Sequence, residues 1–136
     1  MSTTLEAQRV RSLQDACRCA QIAEEFRGRD TVVLDLTEVT PIVDYFVITT
    51  GINPRQMVAL AEEVRVQMKV RGSRCQGLEG THDSTWLLQD YGDIVLHVFT
   101  AEARDLYDLE HLWADGKKID WRAELGLPPA KVLEPV

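Results

Sequence analysis

Apolar side chains recur along the first half of this chain at two different spacings. Near the N-terminus they stand three or four residues apart, which predicts a helix from about Leu5 to Arg27. Two runs rich in β-branched and aromatic residues follow, Thr31–Leu36 and Asp44–Thr50, and both predict strands. Only a few residues join these strands, too few for a helical crossover, so we expect them to be antiparallel neighbours.

A second helix is predicted after Gly51. Asn53 is a favourable N-cap residue and Pro54 fits the first helical position. The apolar residues that follow have helical spacing, and Gly72 marks the expected end of the helix. The positions predicted to face the core are Met57, Leu60, Ala61, Val64 and Met68.

Three more strands and a third helix are predicted in the second half of the chain. Arg74–Leu78 is a weak strand, whereas Thr85–Asp90 and Ile94–Thr100 have stronger patterns. Ala101–Trp113 then has the spacing of a helix. Its side chains predicted to point inward are Leu106, Leu109 and Trp113.

The two stronger strands predict a hairpin. If Tyr91 and Gly92 form a two-residue turn, Trp86 lies opposite His97. One face of the hairpin is then predicted to hold Trp86, Leu88, Asp90, Val95, His97 and Phe99.

This order of elements predicts an α/β fold, on the border of α+β, with a mixed sheet of about five strands flanked by helices. A chain of 136 residues is expected to form one domain with its own core. We place that domain at residues 1–116. Residues 117–136 hold three of the five prolines and are predicted to be an extended or mobile C-terminal tail.

Charge is distributed unevenly along the chain. The whole sequence has a formal net charge of −7, whereas residues 79–115 hold nine acidic residues and a single basic one, Arg104. The same segment holds five of the nine aromatic residues. An acidic segment rich in aromatic side chains is typical of a surface that binds a basic partner.

Composition argues against several classes of function. No run approaches the roughly 18 apolar residues of a membrane helix, and the N-terminus has no signal-peptide pattern. Three cysteines, an odd number, predict reduced thiols in a cytoplasmic protein. A pI near 4.9 opposes binding to nucleic acid through bulk charge, although a basic edge at Lys69–Arg74 could touch phosphates.

The sequence contains no catalytic constellation. His82, His97 and His111 do not stand at metal-ligand spacing. Nucleophile-elbow and glycine-rich phosphate motifs are absent. Asp35 and Asp44 lie on separate predicted strands without the adjacent acid that two-metal nucleotidyl transfer needs. We therefore expect a binding module with no enzyme activity, no metal and no cofactor.

A series of short motifs follows in a specific order between about residues 5 and 114. They are Asp44–Ile48 with Thr50–Gly51, Glu79–Gly80, Trp86–Leu88, Asp90–Val95, His97–Phe99, Arg104, Tyr107–Glu110 and Leu112–Trp113. In this combination they resemble the ribosomal silencing factor family, also called the Iojap-related proteins. The resemblance implies a fold related to nucleotidyltransferases but without their catalytic carboxylates.

The resemblance also implies a function. Members of that family bind the large ribosomal subunit through its protein number fourteen and block joining of the small subunit, which represses translation. A ribosomal protein is typically basic and would complement residues 79–115. Little direct contact with nucleic acid is expected, because the whole chain is acidic. The contact residues predicted from residue type and position are Trp86, Asp90, Tyr91, Asp93, His97, Phe99, Tyr107, Asp108 and Glu110.

Two alternatives stay open from the sequence. The first is a nucleotide-binding or nucleotidyltransferase-like enzyme, which the missing carboxylate pair opposes. The second is a homodimerising adaptor that uses the apolar strand face against itself. This second alternative is compatible with ribosome binding, because a homodimer could form off the ribosome.

Overall fold

The structure is a computed structural model and describes residues 2–130. No helix in this part of the chain is long and apolar enough to cross a membrane. In chain order the elements are α1 (Ser2–Glu25), β1 (Arg29–Asp35), β2 (Tyr45–Thr50), α2 (Pro54–Val70), β3 (Gly77–Glu79), β4 (Trp86–Asp90), β5 (Ile94–Phe99), α3 (Ala101–Tyr107), α4 (Leu109–Leu112), β6 (Lys117–Ile119) and α5 (Trp121–Glu124).

The strands form one mixed sheet in the order β3-β4-β5-β2-β1-β6. β2 and β5 are parallel, and the other neighbouring pairs are antiparallel. The predicted α/β class with a mixed sheet is therefore confirmed, with six strands instead of about five. The antiparallel pairing of β1 with β2 is also as predicted, with Leu34 opposite Phe46.

Helices α1 and α2 cover one face of the sheet. α2 begins as predicted, because Asn53 Oδ1 accepts a hydrogen bond from the backbone N–H of Gln56 at 2.9 Å and Pro54 is the first helical residue. All five side chains of α2 that were predicted to face the core are buried. The core that they join includes Cys17, Ala20, Val47, Leu96 and Val98.

The opposite face is covered by the short helices α3 and α4. The single helix predicted for Ala101–Trp113 is divided at Asp108, whose φ is +45°. Leu109 is buried as predicted, but Leu106 is 77% exposed, so its inward orientation was predicted wrongly. The break changes the rotational phase between the two helices, so residues on both sides of it cannot share one inward stripe.

The β4–β5 hairpin has a register two residues away from the predicted one. Trp86 lies opposite Phe99 and not opposite His97. The turn is centred on Gly92 and Asp93, and a 2.8 Å hydrogen bond between the backbone groups that flank them closes it. Gly92 has a φ of +90°, which glycine adopts without steric cost. Because the shift is an even number of residues, each side chain stays on its predicted face.

Residues 117–125 belong to the packed domain, so the predicted extended or mobile tail is wrong for this part. β6 pairs with β1, with Ile119 opposite Val33. Trp121 is 6% exposed, and its Nε1 donates a hydrogen bond to the carbonyl of Thr31 at 3.0 Å. A domain boundary at residue 116 would therefore remove one strand from the sheet. The prediction for residues 131–136 lies outside the described residues.

Candidate protein-binding surface

An aromatic cluster lies where α3 packs on β4 and β5. It consists of Phe46, Trp86, His97, Phe99 and Tyr107. The ring centroids of Trp86 and Phe99 are 4.9 Å apart, and the ring centroids of Trp86 and Tyr107 are 4.8 Å apart. His97 extends the cluster to Phe46 on β2, at 4.6 Å in an edge-on contact. Each such pair contributes about 0.5–1.5 kcal/mol beyond the area that it buries.

Exposure increases across this cluster from the sheet towards α3. Phe99 is fully buried, Trp86 is partly buried and Tyr107 is 50% exposed. A tyrosine held against a tryptophan presents a rigid apolar ring with a polar hydroxyl, a combination that is enriched in protein interfaces. Trp86 and Tyr107 are thus two predicted contact residues that the fold brings together at the surface.

A hydrogen bond to His97 fixes the orientation of the Trp86 side chain. Trp86 Nε1 donates a hydrogen bond to His97 Nδ1 at 3.1 Å. The imidazole therefore carries its proton on Nε2, an atom that is buried and has no hydrogen-bond partner in the described part of the chain. Burial lowers the pKa of His97 from 6.5 to about 4, so the ring is neutral at pH 7 and can accept this bond.

Three of the predicted contact residues are too buried for a partner to reach. His97 is 3% exposed and Phe99 is fully buried. Tyr91 is 3% exposed on the opposite face of the sheet, and its hydroxyl donates to Gln89 Oε1 at 2.7 Å. Burial raises the pKa of Tyr91, which keeps this hydroxyl protonated. The contact role predicted for these three residues is therefore wrong.

Two of the predicted acidic contact residues stabilise the chain itself. Asp90 accepts a hydrogen bond from the backbone N–H of Gly92 at 2.7 Å. Asp93 accepts one from the hydroxyl of Ser12 on α1 at 2.5 Å. Both side chains are partly buried. Their carboxylates are engaged within the fold, so they have less capacity to bind a partner than the sequence suggested.

Glu110 and Asp108 have different surroundings although they are two positions apart. Arg104 Nε donates to Glu110 Oε1 at 2.8 Å, and its Nη1 donates to Thr50 Oγ1 at 2.9 Å. The Arg104 side chain is 12% exposed. The single basic residue of segment 79–115 therefore holds α4 against the sheet. Asp108 is exposed, with its Oδ2 3.2 Å from Nδ1 of the exposed His111.

The apolar side chains exposed on α3 and α4 were not predicted from the sequence. Leu106 is 77% exposed and Leu112 is 73% exposed. A continuous helix would have placed Leu106 on one stripe with Leu109, which is why it was predicted to point inward. The signal that could have separated them is Asp108, because aspartate adopts positive φ more readily than most residues and can end a helix there.

These residues define the candidate surface. We call the following five residues the docking surface: Trp86, Leu106, Tyr107, Asp108 and Leu112. Glu102 and Asp105 are exposed on the same helix, α3, and add negative charge. The only Lys or Arg on α3 and α4 is Arg104, which is engaged. Exposed apolar side chains beside exposed carboxylates suit a partner surface that is apolar and basic.

The fold also brings aspartates together elsewhere, contrary to the expectation that Asp35 and Asp44 have no acidic neighbour. The backbone N–H of Asp44 donates to the carbonyl of Asp93 at 2.9 Å. Burial and then the charge of Asp93 raise the pKa of the Asp44 carboxyl; Asp35 adds to this and Arg9 opposes it. Within residues 2–130, no group of three potential ligands is arranged to hold a metal ion.

Known proteins resemble this chain in sequence and in structure. The family model described as "Ribosomal silencing factor during starvation" matches residues 9–132. Ribosomal silencing factor RsfS of Chromobacterium violaceum is 38% identical over 94 residues, which cover 69% of this chain and 77% of that protein. A crystal structure of a protein from Chromobacterium violaceum has a TM-score of 0.70 at 37% identity and covers 79% of this chain and 90% of its own.

A more distant relative comes from the mouse and is named mitochondrial assembly of ribosomal large subunit protein 1. It is 32% identical over 89 residues, which cover 63% of this chain and 39% of that protein. The family match extends from α1 to beyond α5, so it includes all strands of the described sheet and the whole docking surface. The chain belongs to the ribosomal silencing factor family.

Proposed function

We propose that this protein represses translation by binding the large ribosomal subunit through the subunit's protein number fourteen, so that the small subunit cannot join. Membership of a family of ribosomal silencing factors supports the ribosome as the target. The name of the mouse relative supports the large subunit. The choice of protein number fourteen comes from the motif resemblance.

The observation that carries the proposal is the docking surface. Three large apolar or aromatic side chains on two consecutive short helices, Leu106, Tyr107 and Leu112, are at least half exposed. The ring of Tyr107 packs at a tilt against the ring of Trp86, with the two centroids 4.8 Å apart, and a hydrogen bond to His97 holds Trp86. Binding a partner here costs little side-chain entropy on the side of this protein, because the rings of Trp86 and Tyr107 are already ordered.

The charge beside this surface favours a basic partner. Glu102, Asp105 and Asp108 are exposed, and most ribosomal proteins are basic because they contact RNA. Opposite charges accelerate encounter and disfavour binding in a wrong orientation. The block itself needs no chemistry, since a domain bound on the joining face excludes the small subunit by its volume alone.

Subunit joining tests the proposal directly. Purified large and small subunits are mixed at a magnesium concentration that favours joining, with an excess of the protein, and separated by sedimentation. We expect the subunits to stay apart. Full ribosomes at the yield seen without the protein would reject the proposed function.

A matched pair of variants tests the surface. Tyr107→Ala removes the exposed ring and should weaken binding to large subunits by about 2 kcal/mol, roughly 30-fold, if the ring is an interface anchor. Val70→Ala removes an 85% exposed side chain at the end of α2 and should leave binding unchanged. Unchanged binding by Tyr107→Ala, with lower stability, would mean that the ring serves only the fold.

A further inference from the structure

A basic groove lies at the β3 edge of the sheet, on the face that α2 covers. Residues 65–78 contain four basic residues and no acidic one. Arg65, Lys69 and Arg74 line an open cavity of about 450 Å³, together with Gln76 and Leu78 among others. We call these five residues the basic groove. The docking surface lies on the other face of the same end of the sheet, because Leu78 and Trp86 belong to opposite faces of the β3–β4 pair.

Local structure explains why these cations face one cavity. Arg65 and Lys69 are four residues apart on α2, so they lie on the same side of the helix. Gly72, with a φ of +91°, then reverses the chain, and the backbone N–H of Ser73 donates to the carbonyl of Met68 at 2.9 Å. This turn returns Arg74 to the side of the helix that carries the other two.

The charges of the groove are compensated unequally. Arg65 donates two hydrogen bonds to Glu62, at 2.6 and 3.1 Å. Lys69 and Arg74 are exposed, and within residues 2–130 neither has a carboxylate within 4.0 Å. The fourth basic residue, Arg71, is directed to Asp15 on α1 at 2.8 Å. Among the described residues, two cations without a carboxylate partner and one partly compensated guanidinium therefore line the cavity.

We propose that the basic groove binds the phosphate backbone of RNA. Arginine and lysine side chains on an exposed edge are the groups that contact phosphate oxygens in complexes with nucleic acids. The part of the chain that lines the cavity contributes no aromatic ring, so it offers no stacking platform for bases. The contact is therefore to the backbone and carries no sequence preference.

The family supports RNA as the occupant over an acidic peptide. A ribosome consists of RNA and of proteins that are mostly basic, so the abundant anionic surface near a docked silencing factor is RNA. The inference rests on the proposed function in this respect only, since the ribosome supplies the RNA. It modifies the sequence-based expectation of little direct nucleic-acid contact. That expectation came from the net charge, whereas the excess of acids lies in residues 79–115.

Direct binding to RNA tests the groove independently of the ribosome. The probe is a fluorescent RNA duplex of about 20 base pairs, long enough for a cluster of phosphate contacts. Fluorescence anisotropy measures the affinity of the full chain between about 50 and 200 mM KCl, the range in which such contacts weaken most visibly. The test variant is Lys69→Ala/Arg74→Ala. The control is Lys117→Ala/Lys118→Ala, which removes two exposed positive charges from β6 at the far edge of the sheet.

The groove variant should bind the duplex at least about 10-fold more weakly at low salt, and the slope of log affinity against log salt should fall by about two. The control should change affinity by less than about 3-fold. An equal loss in both variants would assign the binding to bulk charge and overturn the proposal. Affinity that does not change in the groove variant, or a wild-type chain that does not bind the duplex, would also overturn it. A thermal unfolding curve for each variant checks that the fold is intact.

Two further ligands separate this inference from the proposed function. The groove variant should bind isolated ribosomal protein fourteen as the wild type does, and should bind whole large subunits about 10-fold more weakly. Tyr107→Ala should show the reverse selectivity, with weaker binding to the protein and unchanged binding to the RNA duplex. A groove variant that loses binding to the isolated protein would overturn the assignment of the groove to RNA, because it would make the groove a protein contact. Wild-type protein that binds neither subunit nor ribosomal protein would reject the proposed function, and the duplex experiment would still test the groove.

Discussion

Trp121 connects the C-terminal elements to the rest of the domain, and Trp121→Ala should lower the free energy of unfolding by about 4 kcal/mol. The indole is 6% exposed and packs in the core that α1 and α2 form with the sheet. Its Nε1 donates to the carbonyl of Thr31 at 3.0 Å. The guanidinium of Arg122 lies 4.8 Å from the ring centroid and covers the indole from outside.

The magnitude follows from these contacts. An aromatic side chain buries about 150–250 Å², which corresponds to about 4–6 kcal/mol at about 25 cal/mol per Å². Partial collapse of the cavity recovers some of this, and the carbonyl of Thr31 loses a hydrogen bond worth about 1 kcal/mol. Trp121→Phe retains much of the apolar area and should cost about half as much.

Urea unfolding followed by far-ultraviolet circular dichroism measures the effect, because this signal does not depend on the tryptophan that is removed. With a slope of about 2 kcal/mol per M urea, the midpoint should fall by about 2 M. Leu112→Ala, at a 73% exposed position, is the control and should cost less than about 0.5 kcal/mol. A loss under about 1 kcal/mol for Trp121→Ala would refute the reasoning, since it would show that residues 117–125 detach locally before the domain unfolds.

Two further predictions concern His97 and Asp108. The folded protein lowers the pKa of His97 from 6.5 to about 4, so the neutral ring stabilises the fold fully above about pH 6.5 and this contribution is lost as the pH falls towards 4. The unfolding free energy of the wild type, measured relative to that of His97→Gln, should therefore fall by up to about 3 kcal/mol between pH 7 and pH 4. A difference between the two proteins that does not change with pH would contradict this. Asp108 has a φ of +45°, so Asp108→Gly should stabilise the protein by up to about 1 kcal/mol in urea unfolding, whereas Asp108→Ala should not. A lower stability of Asp108→Gly than of Asp108→Ala would contradict the backbone argument, because both variants lose the exposed contact with His111 equally.

Local signals account for the parts of the fold that the sequence predicts well. The Asn53 cap, Pro54 and the apolar spacing of α2 are all contained within one element, and the structure has them as expected. The two faces of the β4–β5 hairpin are also correct, because alternation along a strand is local. The register was wrong because Tyr91 was counted as a turn residue, whereas the turn is centred on Gly92 and Asp93.

Features that depend on distant partners could not be predicted in this way. The parallel pairing of β2 with β5 joins strands that are separated by α2, β3 and β4. β6 has only three residues, two of them lysines, and is a strand because β1 offers it a free edge. Trp121 lies in a proline-containing segment with little periodicity, so its burial follows from the approach of β1 and α1 and not from its own neighbours.

The docking surface depends on one such interruption, at Asp108. If α3 and α4 were a single helix, Leu106 and Leu109 would be on one stripe, and both would pack on the sheet. The break at Asp108 instead lets Leu109 pack inward, while the contact of Arg104 with Glu110 fixes α4 and leaves Leu106 and Leu112 exposed. The fold thus leaves these apolar side chains exposed by holding Asp108 at a positive φ, and this backbone conformation costs free energy. Under the proposed function, the strain at Asp108, beside a half-exposed Tyr107 that packs on Trp86, is a cost to stability that serves binding.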